Sequence, residues 1–257
     1  MNAIETDHLT KIYKKKVRAL DGCSLTIPES CIFGLIGPNG AGKSTMMNIW
    51  AGILNRSDGS FSILGETVHK WDYECKRQIG FVLEKPHYIE KLTVEEYLHF
   101  CGAIYELGTE TVKSRTNELL DFFDLEKKAS DRIENCSTGL KKKVSLAATL
   151  IHRPKLLILD EPFEGIDPIS VKQIKDNLRL MSEQGITIVL SSDNLDTVER
   201  LCDEVAIINK GKIIYQAKTD EIRAKVESQK YDSLEDLFVE LISEHDQNKK
   251  AGRLSWL

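Results

Sequence analysis

The sequence predicts an α/β fold: a core of parallel strands and helices that carries an antiparallel β subdomain and an inserted α-helical subdomain. Three observations carry that reading. The glycine-rich run Gly37-Pro38-Asn39-Gly40-Ala41-Gly42-Lys43-Ser44-Thr45 lies between an apolar strand and a helix. A second short apolar strand (KLLIL, residues 155–159) closes on Asp160 and Glu161 and is stopped by Pro162, which cannot continue a ladder. Between the two, from Leu92 to Ile133, the apolar spacing becomes helical.

Taken in order, alternation makes residues 3–13 and 18–27 strands, with Pro28 and Glu29 as the turn. Residues 30–36 (SCIFGLI) form the buried strand that enters the glycine-rich run, residues 45–54 the helix that leaves it, and residues 59–64 (GSFSIL) another strand. Thr93-Val94-Glu95-Glu96 is a capping box ahead of a helix at 97–105, and Leu119, Leu120, Phe122 and Phe123 mark a second amphipathic helix. The core resumes with a helix at 140–151 and strands at 155–160, 187–190 and 205–209. Asn209-Lys210-Gly211-Lys212 is a hairpin turn into a strand at 213–216. From Thr219 the chain is charged and helical, while residues 249–257, with Trp256, show no pattern of a packed element. The expected divisions are residues 1–90 and 137–220 for the two parts of the core, 91–136 for the helical subdomain and 221–257 for a helical tail.

With 257 residues, 41% hydrophobic and 29% charged, the chain can bury one substantial core with a small appended lobe. No stretch approaches the ~18 uninterrupted apolar residues of a membrane span, and Met1 to Thr10 lacks the basic-then-apolar pattern of a signal peptide. A soluble cytoplasmic subunit is expected. The net charge of −5 argues against a general nucleic-acid binder, which needs a basic face. The lysine runs Lys14 to Lys16 and Lys141 to Lys143 read as solvated surface. The six cysteines stand singly, with Cys31 and Cys202 in apolar surroundings that predict buried thiols, and the six histidines offer no i,i+4 pair for a metal.

The run from Gly37 to Thr45 is a complete phosphate-binding loop in its strand–loop–helix setting. Successive backbone N–H groups curl around a β-phosphate, Lys43 reaches the β/γ oxygens, and the Ser44 hydroxyl ligates Mg²⁺. The chain is therefore expected to bind a nucleoside triphosphate. Asp160, at a strand end beside this loop, is placed to hold Mg²⁺ or its water shell. Glu161, one residue on, is a candidate to orient and deprotonate the attacking water, a role that needs a carboxylate near the γ-phosphate.

In this motif order the chain resembles the nucleotide-binding subunit of an ABC (ATP-binding cassette) transporter over nearly its whole length. Tyr13 resembles the family's adenine-stacking aromatic, and Ile79-Gly80-Phe81-Val82-Leu83-Glu84 the strand that ends in its glutamine switch. Cys136-Ser137-Thr138-Gly139-Leu140 stands at the LSGGQ signature, Phe163-Glu164-Gly165-Ile166-Asp167-Pro168 matches the D-loop, and residues 186–192 (ITIVLSS) match the strand before the switch histidine. The resemblance implies a P-loop NTPase (RecA-like) core with ATP and Mg²⁺ as cofactors, Mg²⁺ being held by Ser44, Glu84 and Asp160. It also implies a second cassette, the same chain or another, paired head to tail. Ser137 and Gly139, at a positively polarised helix start, would then cap the γ-phosphate bound by the partner. Transmembrane permease subunits would place the chain on the inner face of the cell membrane, coupling ATP hydrolysis to export. Ser233-Leu234-Glu235-Asp236-Leu237-Phe238 resembles the C-terminal tail of ABC-2-type exporters.

Three residues depart from the family pattern. Glu84 replaces glutamine, keeping its length while adding a negative charge. Thr138 replaces the first signature glycine. Asp193 in Ser191-Ser192-Asp193-Asn194-Leu195 replaces the switch histidine. An ionised aspartate only accepts hydrogen bonds and repels the γ-phosphate, so it implies impaired hydrolysis unless Asn194 donates from one position out of register. The alternative function is thus a hydrolysis-deficient cassette with a regulatory or structural ATP-binding role in a membrane complex.

Overall fold

The computed structural model describes residues 1–14, 16–69, 73–227 and 233–245. The chain opens with β1 (Asn2–Ile12), β2 (Arg18–Pro28), β3 (Ile32–Ile36), α1 (Lys43–Trp50), β4 (Asp58–Ile63) and β5 (Glu66–Thr67). A short α2 (Tyr73–Arg77) leads to β6 (Ile79–Val82), followed by α3 (Val94–Ile104), α4 (Thr109–Phe122) and α5 (Thr138–Leu150). Then come β7 (Leu156–Leu159), α6 (Pro168–Glu183), β8 (Thr187–Ser192), α7 (Leu195–Leu201), β9 (Glu204–Asn209), β10 (Lys212–Lys218), α8 (Thr219–Glu227) and α9 (Leu234–His245).

Among the described residues these strands form two sheets. An antiparallel sheet has the order β2-β1-β4-β5, and a larger one the order β10-β9-β3-β8-β7-β6, parallel except for β10 at its edge. This is the predicted α/β fold. The parallel sheet is covered on both faces, which is why β3 and β7 are apolar at every position. Ile32 and Ile36 of β3 pack into a core built with α3 to α7. Phe33 and Leu35 point the other way, against Met46, Met47 and Trp50 of α1 and the inner face of the antiparallel sheet. The Trp50 indole N–H donates to Thr6 Oγ1 at 3.2 Å, pinning α1 to β1.

The predicted capping box is present: Thr93 Oγ1 accepts from the Glu96 N–H at 3.2 Å, and the Glu96 carboxylate accepts from the Thr93 N–H at 2.8 Å. The turn at Asn209 to Lys212 joins β9 to β10 as expected. Cys31 and Cys202 are buried. Other elements differ in extent. Helix α1 begins at Lys43 rather than residue 45, since Gly42 at φ 117° lets the chain enter the helix there. Helix α5 begins at Thr138, with Ser137 as its cap. Helices α6 and α7 add to the expected elements: Asp167 accepts from the Ile169 and Ser170 N–H groups, and Pro168 starts α6 as a proline readily does.

One expectation is overturned. Lys142 and Lys143 are each only 4% exposed, not solvated. Helix α5 is covered on nearly every side, so charge alone did not reveal which stems would be buried. Lys14 and Lys16 are exposed as expected, whereas Lys15 lies outside the described residues. The tail resembling exporter ATPases forms α9, capped by Ser233, with Leu237 buried and the helix packed on β9, β10 and α7. Residues 246–257, Trp256 included, lie outside the described residues. No described helix is long and apolar enough to cross a membrane.

Candidate functional site

Strands β3, β8 and β7 are neighbours in the parallel sheet, so their carboxyl ends deliver three segments to one crevice. Asp160 lies beside the phosphate loop, as the sequence predicts. In the fold β8 stands between their strands, and the contact is made across it. Ser44 Oγ donates to Asp160 Oδ1 at 3.2 Å. Ser191 Oγ, from the end of β8, donates to the same oxygen at 2.7 Å and accepts from the Glu161 N–H at 2.8 Å. Asp160 is only 3% exposed, and its hydroxyl donors satisfy a buried carboxylate.

The loop from Gly37 through Pro38, Asn39, Gly40, Ala41 and Gly42 to Lys43, Ser44 and Thr45 wraps over the β9–β10 turn, whose Gly211 N–H donates to Ala41 O at 2.8 Å. A Cβ at Gly37 would stand 2.2 Å from Ile208 O, so only glycine allows this close approach. Lys43, 6% exposed, donates from Nζ to Gly37 O at 2.7 Å and lies 3.6 Å from Glu161 Oε1. One ammonium therefore joins the loop to the carboxylate of the opposite strand. Burial pushes the Glu161 carboxyl above the usual carboxylate range; Lys43 pulls it down, while Asp193, Asp160 and Glu164 push it further up. Glu161 also adopts φ 44°, a left-handed conformation uncommon for a residue with a side chain.

Asp193 and Asn194 line the same crevice as Glu161 and Ser192. The Asn194 side chain accepts from the Thr197 N–H at 2.8 Å, capping α7. Tyr13 is partly exposed beside the loop, its hydroxyl 3.4 Å from Thr45 Oγ1. Glu84 follows β6 on the far side of β7; its carboxylate lies 3.3 Å from Lys85 Nζ and its main-chain oxygen accepts from Lys142 at 2.9 Å. Ser137 and Gly139 stand instead at the start of α5 against the start of α6, where a Cβ on Gly139 would meet Ser170 Oγ at 2.8 Å. The Ser44 hydroxyl and the Asp160 carboxylate supply the hard oxygen donors that Mg²⁺ takes, held together by hydrogen bonding, so the residues present fit that ion.

The ABC transporter family profile matches residues 20–164, from β2 through the phosphate loop to Glu164. The chain belongs to the ABC transporter family. This cassette is 36% identical over 218 residues to the linearmycin resistance ATP-binding protein LnrL of Bacillus subtilis, covering 84% of this chain and 70% of that one. It is 33% identical over 226 residues to the daunorubicin/doxorubicin resistance ATP-binding protein DrrA of Streptomyces peucetius, covering 88% and 68%. A solved ATP-binding subunit of an ABC transporter superposes with TM-score 0.83 at 31% identity over 93% of the cassette and 99% of that chain. CbiO1 of Clostridium perfringens, part of the transporter complex CbiONQ, does so with TM-score 0.80 at 28% identity over 88% and 92%.

Sequence reasoning missed two members of the site, Ser191 and Lys142. Ser191 had a signal: paired hydroxyls ending an apolar strand, level with Asp160 once Leu159 pairs with Leu190. Lys142 had none, because its value depends on what covers α5.

Proposed function

We propose that this cassette binds and hydrolyses ATP to drive export through separate transmembrane permease subunits, on which it sits peripherally at the inner face of the membrane. The convergence of Lys43, Ser44, Asp160 and Glu161 on one crevice carries this reading. The backbone from Gly37 to Thr45 would hold the phosphates, Tyr13 the adenine, and Ser44, Asp160 and Glu84 an Mg²⁺ ion, which when bound supplies Lewis-acid charge to phosphate oxygens. Glu161 takes a proton from water as the water oxygen attacks the γ-phosphorus and the bond to the bridging oxygen breaks, leaving ADP and phosphate. Lys43 offsets the charge that develops. Ser137 and Gly139 would close on the nucleotide of a second cassette, and alternation of open and closed pairs would move the permeases. Residues 1–90 and 137–220 act as the core, 91–136 as the lobe facing the permeases and 221–257 as an accessory tail.

Two variants test the site. Lys43→Ala should abolish ATP binding or turnover, because it removes the ammonium aimed at the β/γ oxygens. Glu161→Gln should keep ATP affinity, lose turnover by about a hundredfold or more, and accumulate an ATP-loaded dimer on a sizing column. Full turnover in Glu161→Gln would reduce Glu161 to a structural role.

A further inference from the structure

Lys142 is nearly as buried as any core side chain, and a buried ammonium persists only with partners. Its Nζ donates to the main-chain oxygen of Glu84 at 2.9 Å and to that of Glu161 at 3.3 Å. Burial pushes its pKa below the usual lysine value, and the carboxylates of Glu164, Glu84, Asp160 and Glu161 pull it back up. A second tie joins the same helix to the same segment. Tyr88 donates from its hydroxyl to Lys141 O at 2.8 Å, and that hydroxyl lies 2.8 Å from Ser145 Oγ. Lys143 offers the contrast: equally buried, it reaches Phe123 O at 2.9 Å and Asp124 at 3.6 Å and touches neither loop.

The left-handed backbone of Glu161 adds a reason for the arrangement. Such a conformation at a residue with a side chain persists where the surroundings hold it from both sides. Ser191 holds the N–H of Glu161 and Lys142 holds its carbonyl. We propose that Lys142 is a positioning residue for hydrolysis: one ammonium, carried on the helix that Ser137 caps, fixes the backbones of Glu84 and Glu161 together, so that a displacement of α5 reaches both. A nucleotide docking on the start of α5 from a partner cassette would thereby be felt at the residue that activates water. The inference rests on the assignment of Glu161 as the base.

The test uses the full chain with Mg-ATP under single-turnover conditions, alongside amide hydrogen exchange. Lys142→Met keeps the stem and removes the ammonium. It should lower kcat about tenfold while ATP affinity stays within twofold, and Lys142→Arg, which keeps the donors, should recover most of the rate. Peptides covering 84–88 and 161–164 should exchange faster in Lys142→Met, with the middle of α5 unchanged. Lys143→Met, matched for burial, should do neither. In the Glu161→Gln background Lys142→Met should slow turnover no further, as expected of residues acting through one another. Unchanged exchange in both peptides, or a kcat loss no larger than that of Lys143→Met, overturns the proposal. Undiminished turnover in Glu161→Gln alone overturns the base assignment instead, and the exchange measurement still reports whether Lys142 holds the two loops. If Lys142→Met does not fold, Lys142→Gln, whose amide can donate to one carbonyl, replaces it in every comparison.

Discussion

Asp193 shares the crevice of Glu161, and its charge strengthens the hold of Glu161 on a proton. Under the proposed function, a second anion at this position would repel the transferring phosphoryl group and so oppose hydrolysis. Replacing Asp193 with His removes that anion and adds a donor, and should raise phosphate release on the order of tenfold; Asp193→Ala should give a smaller rise. A single positioned contact of this kind is worth on the order of 3 kcal/mol, roughly a hundredfold in rate, which sets the scale. Slower release from both variants would make Asp193 an active participant in the site. That residue 193 is an acid and not a donor was legible in the sequence, because residue identity alone decides it. The part played by Ser191, two residues earlier, was not, since it depends on which strand lies between β3 and β7.

Where β6, α3 and α5 meet, His152 behaves as part of the packing. Its ring stacks on Tyr105 with centroids 3.8 Å apart, and Nε2 donates to Ile79 O at 3.1 Å, which fixes the tautomer. Burial pushes its pKa down to about 4; the Ile79 carbonyl acts upward, and the Arg115 and Arg77 cations act downward again. The folded protein therefore binds this proton less readily than the unfolded chain, whose histidine titrates near ~6.5. Stability from the neutral ring is complete above that value and is lost progressively as pH falls from about 6.5 towards 4. Urea unfolding midpoints should drop between pH 7 and pH 5 by less in His152→Gln than in the parent. Equal drops would show that other groups carry the acid sensitivity. The helices of this region were legible from periodicity and the capping box at Thr93, but the burial of His152 was not, because it takes three separate elements to enclose the ring.

Across the whole molecule, the proposed phosphate site and the proposed signature edge would do different work. Helices α5 and α6 start side by side, with Ser137 and Asp167 as caps and Gly139 tight against Ser170. That edge fits the proposed docking of a partner's γ-phosphate. Ser137→Arg would place a bulky side chain there, so ATP should still bind each monomer while ATP-dependent dimerisation is lost. Equal masses by light scattering with and without the substitution would remove the signature from the interface. The sequence by itself determined the fold class and the family and marked the glycine-rich loop, Asp160 and Glu161 for the proposed site, because each follows from local chemistry: glycines where no Cβ fits, a hydroxyl and an ammonium at fixed spacing, carboxylates closing an apolar strand. Only the tertiary structure decided that β8 separates the loop from Asp160, that Ser191 bridges them, and that Lys142 lies buried between Glu84 and Glu161. The reason is that strand order and the burial of a long side chain are set by which distant segments come to cover it, and no window of neighbouring residues contains that information.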